Sequence, residues 1–277
     1  RSGSFVVSSL IGGRDVVLSY IPSGNYIGEM ALLTEASRSA TVKATVASEV
    51  IKIDAAAFRA LLKTENELRR EIEAKFQDRM VENLETEERP EAGDVIDFLV
   101  GQGVGEASDV LLIDESLCVR CDNCEKACAE THGGISRLNR EAGPTFETLH
   151  VPTSCRHCEH PHCMSDCPAD AIHRAPDGEV FIDDTCIGCG NCAGNCPYGV
   201  IQLAYPAQEK PGLLSWLLFG SGPGPGQDKS PREKVEGARS MAAKCDMCKD
   251  IEGGASCVSA CPTGAAIRVK PEEFLSI

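Results

Sequence analysis

The chain has 277 residues, of which 42% are hydrophobic and 25% charged, and its formal net charge is −15 at pH 7. This length allows about two domains of ordinary size. The acidic balance argues against a nucleic acid partner, because such partners are recognised by clustered Lys and Arg. No apolar run approaches the ~20 residues of a transmembrane helix, so we expect no membrane span. The sequence starts at Arg1, without an initiator Met and within a strand-like run, and we expect it to be a fragment.

The first part of the chain predicts short strands. Apolar runs at 5–7 and 16–18 flank a Gly12-Gly13 turn, which is the pattern of a hairpin. A second strand pair is predicted at 42–46 and 50–53.

Between these strand pairs lies a segment of the form G-E-x-A-L, a short loop, then R-x-A-T-V. The residues that carry it are Gly28, Glu29, Ala31, Leu32, Arg38, Ala40, Thr41 and Val42. On these residues the segment resembles the phosphate-binding cassette of cyclic nucleotide-binding domains, although Ile27 stands where that family has Phe. The resemblance covers residues 3–85. It implies a β-roll closed by helices, with cAMP or cGMP as the ligand.

The candidate nucleotide site consists of Gly28, Glu29, Arg38, Ala40 and Thr41. A short helix beginning near Glu29 would offer backbone N–H groups to an anion. The resemblance implies that Arg38 pairs with the cyclic phosphate through its planar guanidinium and that Glu29 accepts from a ribose hydroxyl. Proteins of this fold also serve as scaffolds or dimerisation modules without nucleotide. The first strands of the β-roll are not found in this sequence, and the pocket would be incomplete without them, so that alternative stays open.

Two helices are predicted next. Asp54 is typical of an N-cap, so we expect a helix over 55–63, followed by a longer helix over 65–87. The longer helix has one apolar stripe, formed by Leu68, Ile72, Phe76, Met80 and Leu84. The stripe either pairs with a second copy of the chain, giving a homodimer, or packs on the same chain.

A charged run that includes Pro90 places a domain boundary near residue 90, with 91–107 as a linker. The linker contains the glycines at 101, 103 and 105. They do not complete the dinucleotide-binding pattern G-x-G-x-x-G, because Glu106 follows. We therefore expect a flexible loop there.

All sixteen cysteines lie between Cys118 and Cys261. They form four motifs with the spacings C-x2-C-x2-C-x3-C, C-x2-C-x4-C-x3-C, C-x2-C-x2-C-x3-C and C-x2-C-x8-C-x3-C. Motif 1 is Cys118, Cys121, Cys124 and Cys128; motif 2 is Cys155, Cys158, Cys163 and Cys167; motif 3 is Cys186, Cys189, Cys192 and Cys196; motif 4 is Cys245, Cys248, Cys257 and Cys261. Pro follows the last cysteine of motifs 2, 3 and 4.

This spacing is that of [4Fe–4S] proteins, in which three cysteines of a run hold one cluster and the fourth ligates another. Sixteen cysteines would thus hold four clusters. Structural zinc prefers two C-x2-C pairs separated by a longer loop. A disulfide scaffold belongs to a short secreted chain. Free thiolates imply assembly in a reducing compartment, and the resemblance to cyclic nucleotide-binding domains favours the cytoplasm.

On these four motifs the chain resembles, over residues 108–270, the four-cluster electron-transfer subunits of bacterial oxidoreductases of the DMSO reductase, formate dehydrogenase and nitrate reductase type. The apolar runs before motifs 1 and 3 repeat, with Cys118 and Cys186 separated by 68 residues, as in duplicated units. The expected fold is α+β: a β-roll with helices at 1–90, then a duplicated ferredoxin-like domain at 108–277 held by four clusters.

The resemblance pairs motif 1 with motif 4 and motif 2 with motif 3. It implies four ligand sets: set A (Cys118, Cys121, Cys124, Cys261), set B (Cys128, Cys245, Cys248, Cys257), set C (Cys155, Cys158, Cys163, Cys196) and set D (Cys167, Cys186, Cys189, Cys192). Arg120, Arg156 and Lys244 place positive charge near these sets, which favours the reduced state.

Three histidines, His157, His160 and His162, surround motif 2. Because no cysteine is missing, they need not be ligands, and we expect them to form hydrogen bonds or lie at the surface. No grouping of Ser, His and acidic residues stands out as a catalytic centre.

An insertion is predicted at 205–231. It contains an apolar patch at 213–219 with Trp216, the single tryptophan, followed by a Gly/Pro-rich stretch. The patch either docks a partner protein or folds over a cluster.

The expected function is relay of single electrons through four [4Fe–4S] clusters to or from a catalytic oxidoreductase subunit, for which a molybdenum or flavin enzyme is expected by analogy. The nucleotide-binding-like domain would regulate, dimerise or dock the chain. Two alternatives stay open: an iron–sulfur sensor that responds to redox state or to a cyclic nucleotide, and the iron–sulfur part of a larger flavoprotein oxidoreductase.

Overall fold

The computed structural model describes residues 2–11, 13–34, 37–38, 40–88, 90–205, 217–218, 239–248 and 251–275. The chain is of mixed α/β type with open sheets and divides into two compact units. Unit 1 comprises Arg1–Ala107 and Val269–Ile277, and unit 2 comprises Ser108–Arg268. No helix among the described residues is long and apolar enough to cross a membrane.

Unit 1 is built on an antiparallel sheet of three strands in the order β2-β1-β3. The strands are β1 (Phe5–Ile11), β2 (Arg14–Ile21) and β3 (Thr41–Ala44). The predicted strands at 5–7 and 16–18 are confirmed as parts of the β1–β2 hairpin, which pairs from Phe5 with Ile21 to Ile11 with Arg14. The apolar side chains of β2 form most of the buried core of the sheet.

The predicted strand at 50–53 is wrong. Val50, Ile51 and Ile53 are 60%, 69% and 61% exposed, and these residues form no strand. A strand needs a hydrogen-bonded neighbour. After β3, the next residue along the chain that pairs with another backbone segment is Glu49, which forms an isolated β-bridge with Ser2.

Four helices of unit 1 are α1 (Glu29–Thr34), α2 (Ala55–Thr64), α3 (Asn66–Glu88) and α4 (Pro90–Gly101). The predicted helices at 55–63 and 65–87 are confirmed as α2 and α3. The Asp54 carboxylate accepts hydrogen bonds from the backbone N–H groups of Ala56 and Ala57 at 2.8 and 3.3 Å, which is the expected N-cap geometry. Along α3, Ile72 is buried, whereas Met80 and Leu84 are exposed.

Helix α4 and a 3-10 turn at Val104–Glu106 occupy the segment 91–107. Helix α4 packs on β2 at Gly93, where an added Cβ would lie 2.2 Å from the Val17 carbonyl oxygen. The Gly105 carbonyl oxygen accepts hydrogen bonds from Ser4 Oγ and Tyr20 Oη, both at 3.0 Å. These contacts fix the segment within unit 1.

In the part of unit 2 that the structure describes, short strands form three sheets, in the orders β11-β4-β6-β5, β7-β8 and β10-β9. Their bounds are β4 (Val110–Asp114), β5 (Thr145–Phe146), β6 (Leu149–His150), β7 (Ile172–Arg174), β8 (Val180–Ile182), β9 (Gln202–Ala204), β10 (Met241–Ala243) and β11 (Ala266–Val269). Described helices of unit 2 are α5 (Asn123–Thr131), α6 (Asn191–Asn195) and α7 (Ser256–Ser259), and α8 (Pro271–Phe274) belongs to unit 1.

The cysteines lie in the cores of unit 2. One core joins Leu111 and Ile113 of β4 to cysteines of motifs 1 and 4. The other joins Ile172 and Val180 of the β7–β8 hairpin to cysteines of motifs 2 and 3. Such short elements bury little apolar surface of their own, so the packing of unit 2 is centred on sulfur.

The internal repeat seen in the sequence has a structural counterpart. In the first copy, Asp114 at the end of β4 accepts from Ser116 N at 2.9 Å and Ser116 Oγ at 2.6 Å. In the second copy, Asp183 after β8 accepts from Thr185 N at 2.9 Å and Thr185 Oγ1 at 2.5 Å. Each turn directs the chain from a strand into a cysteine motif.

The predicted insertion at 205–231, with its apolar patch, lies outside the described residues except for Tyr205, Leu217 and Leu218.

Candidate metal centres and anion pocket

The cysteines of motifs 1 and 4 come together in two cavities. The first cavity is lined by the four thiols of set A, together with Asp122 and Arg140. The second is lined by the four thiols of set B, together with His132 and Arg268. Cys128 of motif 1 faces the second cavity and Cys261 of motif 4 faces the first, so each motif contributes its last cysteine to the other motif's group.

The cysteines of motifs 2 and 3 are grouped in the same crossed way. Burial raises the pKa of Cys163 to about 11, and the charges of Cys155 and Cys196 act in the same direction. Burial also raises the pKa of Cys192, with further contributions from Cys186, Cys189 and Cys167. Burial lowers the pKa of the Arg156 guanidinium, whereas the charges of Cys155, Cys158 and Cys196 raise it. These mutual effects on pKa are those expected for the combinations of sets C and D.

The C-x2-C turns have a common backbone shape. The residue two positions after the first cysteine has a positive φ in every motif: 55° at Arg120, 48° at His157, 67° at Gly188 and 55° at Met247. Three of these four residues are not glycine, and a positive φ is uncommon for a non-glycine residue. The turn brings backbone N–H groups onto sulfur, as in the 3.4 Å contacts of His157 N with Cys155 Sγ and of Gly188 N with Cys186 Sγ.

The chemistry of these groups fits a metal centre. All sixteen cysteines are free thiols. Burial raises the pKa of Cys128 to about 11 and that of Cys257 to about 12, so both are neutral thiols at pH 7 in the absence of a metal. A bound metal deprotonates its thiol ligands, and its positive charge offsets the cost of burying several thiolates together. A cage of four sulfurs suits iron–sulfur clusters or zinc, and the motif spacing favours iron–sulfur.

Buried cations accompany the thiols. Of the three cations expected from the sequence, Arg156 and Lys244 are buried, whereas Arg120 is exposed and pairs with Glu115 at 3.3 Å. Arg140 and Arg268, which line the cavities of sets A and B, were not predicted from the sequence. The Arg268 Nη1 lies 3.5 Å from Cys245 Sγ, and its pKa is raised by Cys245 and Asp109 against the opposing effect of burial. Neither arginine lies within a cysteine motif, so local spacing gives no signal for them.

The histidines divide between the interior and the surface. His157 is fully buried, and its Nδ1 accepts from Val180 N at 3.0 Å, while His160 and His162 are exposed. His132, which the sequence analysis did not select, lies beside set B. Its Nε2 is 3.5 Å from Cys248 Sγ and 3.5 Å from Asp246 Oδ1. His132 is therefore within hydrogen-bonding distance of a sulfur of set B.

In unit 1, a cavity lies between the sheet, α1 and α3. Of the five predicted nucleotide-site residues, Gly28, Glu29, Arg38 and Ala40 line it, whereas Thr41 does not. Thr41 lies in β3 and is exposed. The structure therefore brings together four of the five candidate residues.

The two charged residues of this cavity have different surroundings. Arg38 is exposed, and its Nη1 donates to the Gly28 carbonyl oxygen at 3.0 Å. Gly28 has φ 89°, and an added Cβ there would lie 2.4 Å from Arg38 Nη1, so the cassette depends on glycine at this position. Glu29 is 4% exposed and forms an ion pair with Arg79 of α3 at 2.5 Å. The sequence analysis missed Arg79, because it lies 50 residues from Glu29 in the chain.

Protein-family models match stretches of both units. The model of the 4Fe-4S dicluster domain matches residues 146–209, and a second model of the same description matches residues 185–265. The model of the cyclic nucleotide-binding domain matches residues 1–65.

Curated relatives match the iron–sulfur part. Formate hydrogenlyase subunit 2 of Escherichia coli is 34% identical over 164 residues, which are 56% of this chain and 78% of the relative. The electron transport protein HydN of Escherichia coli is 32% identical over 57% of this chain and 86% of the relative. A sulfite dehydrogenase subunit of Allochromatium vinosum is 40% identical over 36% of this chain and 51% of the relative. The chain therefore belongs to the family of iron–sulfur electron-transfer proteins with 4Fe-4S dicluster domains that includes formate hydrogenlyase subunit 2 and HydN.

Proposed function

We propose that this chain relays single electrons through four [4Fe–4S] clusters, held by sets A, B, C and D, as a subunit of a larger oxidoreductase complex. The observation that carries the proposal is the crossed grouping of motifs 1 and 4, whose cysteines line two cavities with four thiols each. A chain that used each motif for a separate zinc ion would have no need to exchange its fourth cysteines. Each cluster, when bound, supplies a site for one electron at iron.

The chain's own residues prepare these sites. The cysteines supply thiolate ligands, and backbone N–H groups donate to sulfur at Cys128, Cys155, Cys167, Cys186 and Cys261. Hydrogen bonds to sulfur and nearby charge set the potential of a cluster. Because the cages tie together segments far apart in sequence, cluster binding and folding of unit 2 would be coupled.

Exposure distinguishes the sets. Cys121 of set A and Cys189 of set D are the two exposed cysteines, whereas every cysteine of sets B and C is buried or half-buried. Electrons would therefore enter and leave near sets A and D and cross the interior through sets B and C.

The partner would be a catalytic subunit that performs two-electron chemistry on a substrate. The names of the relatives, formate hydrogenlyase and sulfite dehydrogenase, support a catalytic partner of that kind, and we propose a molybdenum or flavin enzyme by analogy.

We propose a functional division with its boundary between residues 90 and 108, in which the first part regulates or docks the relay. A reducing compartment, such as the cytoplasm, suits the thiol ligands.

The test is anaerobic assembly of the full chain, analysis of iron and sulfide, and identification of co-purifying subunits with their molybdenum and flavin content. We expect about sixteen irons per chain, since four clusters each have four irons, and a catalytic subunit in fixed ratio. Zinc in place of iron would contradict the relay. Four clusters in a protein that purifies alone, with cyclic nucleotide bound, would favour an iron–sulfur sensor instead.

The cavity of unit 1 supports a second function, the binding of cAMP or cGMP. Glu29 and Arg38 both line the cavity, so the groups that the family uses for the ribose and the phosphate are near each other. The exposed part of α3, with Met80, Val81 and Leu84, could pair with a second copy of the chain, which would combine nucleotide binding with dimerisation.

Calorimetric titration with each nucleotide tests this function. We expect Arg38→Met to weaken the affinity about 10- to 100-fold, because a hydrogen bond to a charged group contributes about 1.5–3 kcal/mol. Arg59→Met is the matched control, since Arg59 is an exposed arginine of α2 outside the cavity. If neither nucleotide gives heat with the unaltered protein, unit 1 is a scaffold.

A further inference from the structure

Lys244 connects two of the cysteine sets. It follows β10 and immediately precedes Cys245 of set B, yet its Nζ lies 3.3 Å from Cys155 Sγ of set C. The residue is 3% exposed. A flexible lysine side chain is rarely buried to this extent unless its ammonium group is paired.

All three donors of the Lys244 ammonium have an acceptor. The three acceptors are Cys155 Sγ, the carbonyl oxygen of Cys245 at 3.0 Å and the carbonyl oxygen of Val180. An ammonium group has three donors and no acceptor, so the hydrogen-bonding capacity of Lys244 is fully used. These bonds hold its positive charge at a fixed place against sulfur.

We propose that Lys244 is a positioning residue that raises the reduction potential of the centre held by set C. The inference rests on the proposed relay and extends it to the reduction potential of one of its centres. A centre with four thiolates becomes more negative when it accepts an electron, so a cation that donates to its sulfur stabilises the reduced form more than the oxidised form. In a buried environment this interaction is stronger and less screened by salt than at the surface.

Two other cations beside sets B and C are engaged differently. Arg156, also beside set C, directs its Nη1 to the carbonyl oxygens of Pro152 and Ser154, both at 3.2 Å. Arg268 approaches Cys245 of set B at 3.5 Å, but Asp109 pairs with its Nε and offsets its charge. Lys244 has the shortest contact from a cationic side chain to sulfur among those that the structure describes. The effect of Lys244 on the reduction potential should therefore be the easiest to measure separately.

The test is a potentiometric titration, followed by electron paramagnetic resonance, of the full chain assembled anaerobically with Lys244→Met. At an ambient potential near the original midpoint, we expect the ratio of reduced to oxidised set C centre to fall about tenfold, which is about 59 mV for a one-electron couple. Lys244→Arg keeps the charge and should restore most of this ratio. Cys158→Ser, in a separate sample, identifies the signal of the set C centre.

Lys126→Met is the control, because Lys126 is an exposed lysine that donates to the Cys121 carbonyl oxygen at 3.2 Å. It removes a positive charge near set A without removing a contact to sulfur, and the set C midpoint should not move.

Iron and sulfide analysis separates failure of this inference from failure of the proposed relay. A full complement of clusters with an unchanged set C midpoint in Lys244→Met overturns the role of Lys244 and leaves the relay intact. An unaltered protein without a set C centre overturns the relay itself. If Lys244→Met loses the centre, Lys244→Gln provides the comparison, since it keeps a donor without the charge. Loss of the centre from the Met, Gln and Arg variants alike would overturn the inference, because Lys244 would then serve assembly.

Discussion

Cys167→Ser should remove the centre of set D and leave the centre of set C in place, although Cys167 belongs to motif 2. Cys167 contributes to the raised pKa of Cys192 together with Cys186 and Cys189 of motif 3. A serine hydroxyl is a much poorer iron ligand than a thiolate, because its proton is far harder to remove. We expect loss of about a quarter of the iron, since one cluster of four is affected.

Cys163→Ser is the matched variant. It changes the same motif by the same chemistry, but Cys163 lies with Cys155 and Cys196, so the set C centre should be lost and the set D centre kept. The two variants should therefore remove different resonance signals. Iron and sulfide content, with the resonance spectrum of each anaerobically assembled protein, provide the measurement.

The double variant Cys163→Ser/Cys167→Ser discriminates between crossed and local ligation. If the motifs exchange their fourth cysteines, the double variant loses two centres and about half of the iron. If each motif holds its own cluster, both single variants damage the same centre, and the double variant loses no more iron than either one. The second outcome would refute the crossed assignment for motifs 2 and 3.

The sequence was most informative where function depends on local spacing. The C-x2-C steps identify the thiols, and Asp54 identifies the start of α2, because both features involve residues a few positions apart. The cassette residues Gly28 and Arg38 also belong to one short segment. Such features are recognisable without knowledge of how distant parts of the chain meet.

Features that depend on distant contacts were not predictable in the same way. Arg268 contacts Cys245 from 23 residues away in the chain, and Arg79 pairs with Glu29 from 50 residues away. The wrong prediction of a strand at 50–53 has the same cause. The β-branched residues there favour a strand, but among the described residues no neighbouring strand pairs with them. Residue type indicates capacity for an interaction, whereas tertiary packing decides whether it forms.

Arg79→Met should destabilise unit 1 by about 3–5 kcal/mol, because it leaves the buried Glu29 carboxylate without its partner. Glu29 and Arg79 are 4% and 14% exposed as side chains, so water replaces the lost ion pair poorly. Arg79 also donates to the Tyr26 carbonyl oxygen at 2.9 Å, and its guanidinium lies 5.1 Å from the centre of the Tyr26 ring. Removing it therefore loosens the attachment of α3 to the cassette.

The measurement is hydrogen exchange of the amides of β1, β2 and α3 in the full chain, which reports the free energy of opening of unit 1. Arg69→Met is the control on the same helix, since the exposed pair of Arg69 with Glu73 should contribute only about 0.3–0.5 kcal/mol. Adding Glu29→Gln to Arg79→Met should recover part of the lost stability, because a buried amide costs less than a buried unpaired carboxylate. Equal exchange rates for Arg79→Met and Arg69→Met would show that the Glu29–Arg79 pair does not hold α3 to the cassette.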